Sequence, residues 1–184
     1  LAGDGRVLEH VNPERIDYDE LAKIAVTQNG HALEYVPPGR PTYVALAKIA
    51  VQRTPPALQI LQTWWPDSMS TEDYVAICKV AVRGDPHAIG FMTTMIPNNN
   101  DGRAQLRYST RYFELAKFAV EKNAFAFEHV PNGTFMIQLF GLPPYLLLAA
   151  IAVRGSERML QYVPEEHRET VREHVRKSIM ADRR

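Results

Sequence analysis

"YVALAKIAV", residues 43–51, decides the fold. Apart from one lysine it holds no group suited to chemistry, yet the chain repeats it. "YDELAKIAV" begins at Tyr18, "YVAICKVAV" at Tyr74, "YFELAKFAV" at Tyr112 and "YLLLAAIAV" at Tyr145. Three residues after each tyrosine stand Leu21, Leu46, Ile77, Leu115 and Leu148. Four after stand Ala22, Ala47, Cys78, Ala116 and Ala149. Seven after is always alanine (Ala25, Ala50, Ala81, Ala119, Ala152), and eight after is always valine (Val26, Val51, Val82, Val120, Val153). Spacing of 0, 3, 4, 7 and 8 is the apolar stripe of an α-helix, not the alternation of a strand. The recurrent alanines predict close approach of helix backbones. Ile24, Ile49, Val80, Phe118 and Ile151, six after the tyrosine, predict a wide buried face.

A second segment follows each valine. Leu33, Leu58, Ile89, Phe127 and Leu160 lie seven residues on, and Val36, Leu61, Met92, Val130 and Val163 ten on. Between the two segments stand "QNG", "TPP", "GDP", "KNA" and "RGS". These predict a helix ended by a left-handed Gly or Asn and a short second helix opened by Pro. "RVLEHV", residues 6–11, matches "FAFEHV", residues 125–130, so Leu8 and Val11 belong to a second segment without its first helix. The polar terminal segment, with Val171, Val175 and Ile179 on one narrow stripe, suits a cap. The expected fold is all-α. It is one domain, 1–184: a solenoid of about five helical hairpins starting near 18, 43, 74, 112 and 145, with a half-repeat at 1–17 and a capping helix at 165–184. Starting at Leu1 and in mid-repeat, the chain is expected to be a fragment of a longer protein.

"DELAKIAVTQNGHALEYVPPG", residues 19–39, resembles the DUF4116 repeat, found in large effector-like bacterial proteins. The likeness rests on Asp19, Ala25–Val26, Gln28–Asn29–Gly30, Ala32–Leu33 and Tyr35. Later copies keep the apolar frame but lose "QNG". The resemblance implies a helical repeat in a bacterial effector, cytoplasmic or delivered to a host cytosol, and implies no activity. Ankyrin repeats are the second resemblance, through "LAKIAVTQNGH", although "TPLH" is missing and the second segment is short.

Composition narrows the function. Lys plus Arg and Asp plus Glu both number 21, and a net charge of zero argues against a general grip on nucleic acid or anionic lipid. One cysteine, Cys78, excludes a disulfide framework within the chain and reads as a small buried thiol. The longest apolar run, Leu146 to Val153, is too short to span a bilayer. No zinc-protease, phosphate-loop or nucleophile-elbow motif occurs. No catalytic residue, cofactor or metal site is therefore expected. His10 and His129 share the repeat position of Tyr35 and Tyr162 and read as packing residues. His167 and His174 read as solvated helix residues, and "NNNDG", residues 98–102, as a turn rather than a calcium loop.

A binding surface is expected instead. Lys23, Lys48, Lys79 and Lys117 recur at one slot, broken by Ala150. One turn earlier lie Asp19, Val44, Val75, Phe113 and Leu146. The expected partner surface is thus Val44, Val75 and Phe113 beside Lys48, Lys79 and Lys117, centred on Val75 and Phe113 and suited to an apolar, acidic helix of another protein. The same lysines also suit a merely solvated row. Trp64 and Trp65 are either a partner anchor or cover for a hairpin edge. "TFMIQLFGLPP", residues 134–144, either folds over the core or offers an apolar contact. The first reading is a protein-binding module. The alternatives are a regulatory region of a larger enzyme and an anion-binding surface.

Overall fold

The computed structural model describes residues 5–64, 69–92, 102–131 and 143–182. Every described element is helical, with no strand among the described residues. The chain divides into two compact units, Leu1–Met92 and Thr93–Arg184. The first contains α1 (Tyr18–Gln28), α2 (Tyr43–Arg53), α3 (Leu58–Trp64), α4 (Thr71–Gly84) and α5 (Ile89–Met92), with 3₁₀ segments at Gly5–His10, Gly30–Tyr35, Pro55–Ala57 and Pro86–Ala88. The second contains α6 (Gly102–Lys122), α7 (Pro144–Gly155) and α8 (Glu165–Ala181), with 3₁₀ segments at Ala124–His129 and Glu157–Tyr162. In the first unit α1 packs on α2 and α2 on α4. In the second α6 packs on α7 and α7 on α8.

The stripe predicted from spacing is the core. All 25 side chains at its five positions are buried except Leu21, which is half-buried. Each large aliphatic one contributes about 1.5–3 kcal/mol by leaving water. Cys78 replaces alanine within this stripe, and burial pushes its thiol up to about 12. Close approach is visible at Gly30, where a Cβ would stand 2.5 Å from the Ala50 carbonyl oxygen of the next hairpin. Gly30 is thus required by a neighbouring backbone.

Four expectations need correction. The first is the helix end. Asn29, Asp85 and Asn123 are extended (φ −142°, −141° and −148°), not left-handed. Each closes one helix and opens the next 3₁₀ segment, and an opening residue adopts β-region angles. The side-chain oxygens of Asn29, Asp85 and Asn123 accept from the backbone N–H of His31, His87 and Phe125 at 3.0, 2.9 and 3.0 Å.

Secondly, the second segment is not a regular α-helix. It is a six-residue 3₁₀ segment in the first, fourth and fifth hairpins and passes from 3₁₀ into α in the second and third. Its apolar residues, such as Leu33 and Val36, are three apart, which matches three residues per turn. Thirdly, the position six after the tyrosine is an edge, not a floor. Ile24 is exposed, and Ile49, Val80, Phe118 and Ile151 are half-buried. Lastly, three helices start before their tyrosines, α7 by the single residue Pro144. α4 begins at Thr71, where Ser70 Oγ accepts from the Asp73 N–H at 3.1 Å. α6 begins ten residues before Tyr112, although its hairpin is expected to start near 112.

The Gly5–His10 segment packs on α1, with Leu8 buried. α8 presents its buried Val171 inward and carries the exposed pair Glu173–Lys177 at 2.7 Å. Of its predicted stripe, Val175 is half-buried and Ile179 exposed. No helix among the described residues is long and apolar enough to cross a membrane.

Candidate functional site

Once the stripe is buried, the opposite edges of α6 and α7 remain. In the second unit they form a groove of about 830 Å³, with α8 as a third wall. α6 contributes Phe113, Lys117, Val120 and Glu121. The turn after α6 contributes Asn123, Ala124 and Phe125. α7 contributes Leu147, Ala150, Ile151 and Arg154, and α8 contributes His174, Val175 and Ser178. The floor is apolar because Val120 belongs to the stripe and Phe113, Leu147, Ala150 and Ile151 lie beside it, and α8 adds Val175.

The rim is charged. Lys117 lies 3.8 Å from Glu121 one turn on, a weak exposed pair. The Lys122 ammonium lies over the Phe118 ring, 5.7 Å from its centre. Arg154 donates to Ser178 Oγ at 3.1 Å and pairs with Asp182, joining α7 to the end of α8. Lys117 and Arg154 therefore face carboxylates of this chain, and Lys122 caps a ring.

The expected site residues divide between the two units. Phe113, half-buried, and exposed Lys117 lie in the groove. Val44 and Lys48, both half-buried, share one face of α2. Half-buried Val75 and exposed Lys79 hold the same register on α4, which packs beside α2. These four belong to the first unit, and Phe113 and Lys117 to the second. Trp64 closes α3, and Trp65 lies outside the described residues. Residues 98–101 of "NNNDG" and 134–142 of "TFMIQLFGLPP" also lie outside them.

Leu146 is a correction, since it is buried rather than part of an open stripe. α7 has neighbours on both flanks, α6 and α8. The same packing explains why the lysine series stops. Ala150 is buried and shares the groove wall with His174 and Val175, so a lysine there would lose its hydration. In the sequence the Val171, Val175 and Ile179 stripe pointed to a helix packed here, and the break at Ala150 is consistent with it. Leu147, Ile151, Arg154 and His174 carried no such signal.

The other polar features serve the fold. Tyr18 Oη donates to the Tyr35 carbonyl at 2.8 Å and Tyr145 Oη to the Tyr162 carbonyl at 2.9 Å. Arg40 ties the connector after the first hairpin to α1. It donates from Nε to Asp19 at 2.7 Å and from Nη1 to the Pro13 carbonyl at 2.8 Å, and stacks on the Tyr18 ring. Tyr162 Oη donates to Glu128 at 2.8 Å, and this bond, followed by burial, holds the phenol above its usual range.

No family model, curated protein or solved structure matches the chain.

Proposed function

We propose that the chain is a protein-binding module, an α-solenoid of five hairpins with a half-repeat at 1–17 and a cap at 165–184. The observation that carries this reading is the groove between α6, α7 and α8, with its apolar floor and Lys117 and Lys122 on its rim. Its occupant is an amphipathic helix or extended segment of another protein with an acidic flank, the mode in which apolar anchors enter a groove. Phe113 is the anchor contact, and truncating such a residue costs about 2 kcal/mol or more of binding. Val44, Val75, Lys48 and Lys79 extend the same chemistry over the first unit. The module has no catalytic role of its own. The likeness to the bacterial repeat family extends the reading to an effector that engages a host protein in the host cytosol.

The test is a displayed peptide library selected on the full chain. Enriched peptides should combine large apolar residues with Asp or Glu. Their binding should weaken on Phe113→Ala and, more at low salt than at high salt, on Lys117→Glu/Lys122→Glu. Enrichment that ignores all three substitutions would remove the groove from the function. Retention on heparin that falls steeply with salt would favour the anion-binding alternative.

A further inference from the structure

Arg154 stands nine residues after Tyr145, in the last turn of α7. That slot holds Thr27, Gln52, Arg83 and Glu121 in the other hairpins, all exposed, so the repeat itself requires no arginine there. What sets Arg154 apart is its place. It lines the groove of the second unit beside Leu147, Ala150 and Ile151, with Ser178 of α8 within hydrogen-bond reach. Among the described residues lining the groove, Lys117, Lys122 and Arg154 are three cations against one anion, Glu121. The excess of positive charge suits an acidic occupant.

Both terminal nitrogens of Arg154 are engaged. Nη1 donates to Ser178 Oγ at 3.1 Å, and Nη2 donates to the Asp182 carboxylate. A guanidinium is a planar fork that meets carboxylates in a fixed geometry, which a lysine does not. Here a neutral hydroxyl sets one arm of the fork, and a carboxylate of the chain itself sits on the other. That carboxylate is loosely held. The two side chains are 49% and 56% exposed, and exposed ion pairs contribute little. Asp182 also closes α8, a helix with no basic residue in its last turn. A negative charge there meets the negative end of the helix dipole. A carboxylate carried elsewhere on a partner helix escapes that repulsion.

We propose that Arg154 is the specificity-determining contact of the groove. It takes the side-chain carboxylate of one Asp or Glu on the partner helix, and Asp182 holds that place until the partner arrives. The inference rests on the groove being the binding site, and adds which contact reads the partner's acid and what competes for it. Binding exchanges one carboxylate for another on Nη2, while Ser178 keeps Nη1 and with it the plane of the fork. Phe113 and the apolar floor supply the attraction, and the exchange supplies the selection. A partner with Asn or Gln at this place leaves Arg154 with Asp182. Lys117 and Lys122 draw in any acidic partner, whereas Arg154 selects one position along it.

The probe is a displayed library of amphipathic helical peptides, with Glu, Gln, Lys and Ala allowed at the polar positions, selected on the full chain. An enriched peptide that binds the Phe113→Ala chain more weakly is then synthesised with each Glu replaced in turn by Gln. Anisotropy is measured against the parent chain, Arg154→Gln, Asp182→Asn and the double variant. One peptide glutamate should couple to Arg154. Arg154→Gln should weaken the selected peptide by about tenfold or more, and the peptide lacking that glutamate hardly at all. Asp182→Asn should tighten binding by about two- to sixfold, because it removes a competitor held by one exposed pair. In the Arg154→Gln background it should change nothing. Both substitutions fall on exposed side chains, and circular dichroism melts check the fold. Asp182→Asn, which leaves Arg154 in place, carries the test alone if Arg154→Gln loosens α8. Phe113-dependent peptides with no glutamate coupled to Arg154, or with no gain on Asp182→Asn, overturn this inference and leave the groove standing. A selection that yields no Phe113-dependent peptide overturns both.

Discussion

The Tyr43 hydroxyl is buried and finds no partner among the described residues, whereas those of Tyr18 and Tyr145 each reach a carbonyl seventeen residues on. The second segments after these helices also differ. After α1 and α7 a six-residue 3₁₀ segment ends at Tyr35 and Tyr162, leaving their carbonyls open. After α2 the chain runs on as α3, and the carbonyl at residue 60 is used inside that helix. Tyr18→Phe and Tyr145→Phe should each cost about 0.5–1.5 kcal/mol, and Tyr43→Phe should be neutral or stabilising. Urea melts of the three variants decide this. Burial also pushes the Tyr43 phenol from 10.0 to about 12. Between those values the unfolded chain has lost the proton and the folded chain keeps it. Stability is therefore full below pH 10 and falls as pH rises toward 12. Tyr43→Phe should flatten that fall in melts taken across the window.

At the level of elements, the stripe was legible because a period of 3.6 repeats five times and burial tracks it. Its alanines are the sharpest check. Ala50→Leu and Ala119→Leu place three more carbons where both residues are fully buried, and each should cost about 1–3 kcal/mol in thermal melts. The hairpin turns were legible in place but not in conformation. "QNG" announces a break, but whether Asn29 turns left-handed or extended depends on the segment after it, and here a second helical segment starts at once. Asn123→Ala removes the side-chain acceptor for the Phe125 N–H and should lower stability by about 0.5–2 kcal/mol. The length of α6 was hidden because residues 102–111 lack the stripe. The position six after the tyrosine was misjudged because its burial depends on a neighbouring helix, not on its own.

For the whole molecule, far-UV circular dichroism should show helix and no sheet component. A clear sheet signal would contradict both the spacing and the described elements. Less of the candidate site than of the fold was legible. Phe113 and Lys117 were found because they recur at a fixed offset from the tyrosine. The walls from α7 and α8 were not, since Leu147, Arg154 and His174 reach the groove only through tertiary packing. A repeated pattern reports what each unit shares, and a groove is made where the units differ.

Cys78 has a consequence of another kind. It is the chain's single sulfhydryl and sits wholly inside the α4 contact with its neighbours. A thiol reagent can reach it only when that contact parts, and burial keeps the thiolate scarce until then. Where reclosing outruns the reagent, the modification rate is the opening equilibrium multiplied by the rate for an exposed thiol. The chain thus carries its own clock for fluctuations of the first unit, readable by mass spectrometry with no substitution made.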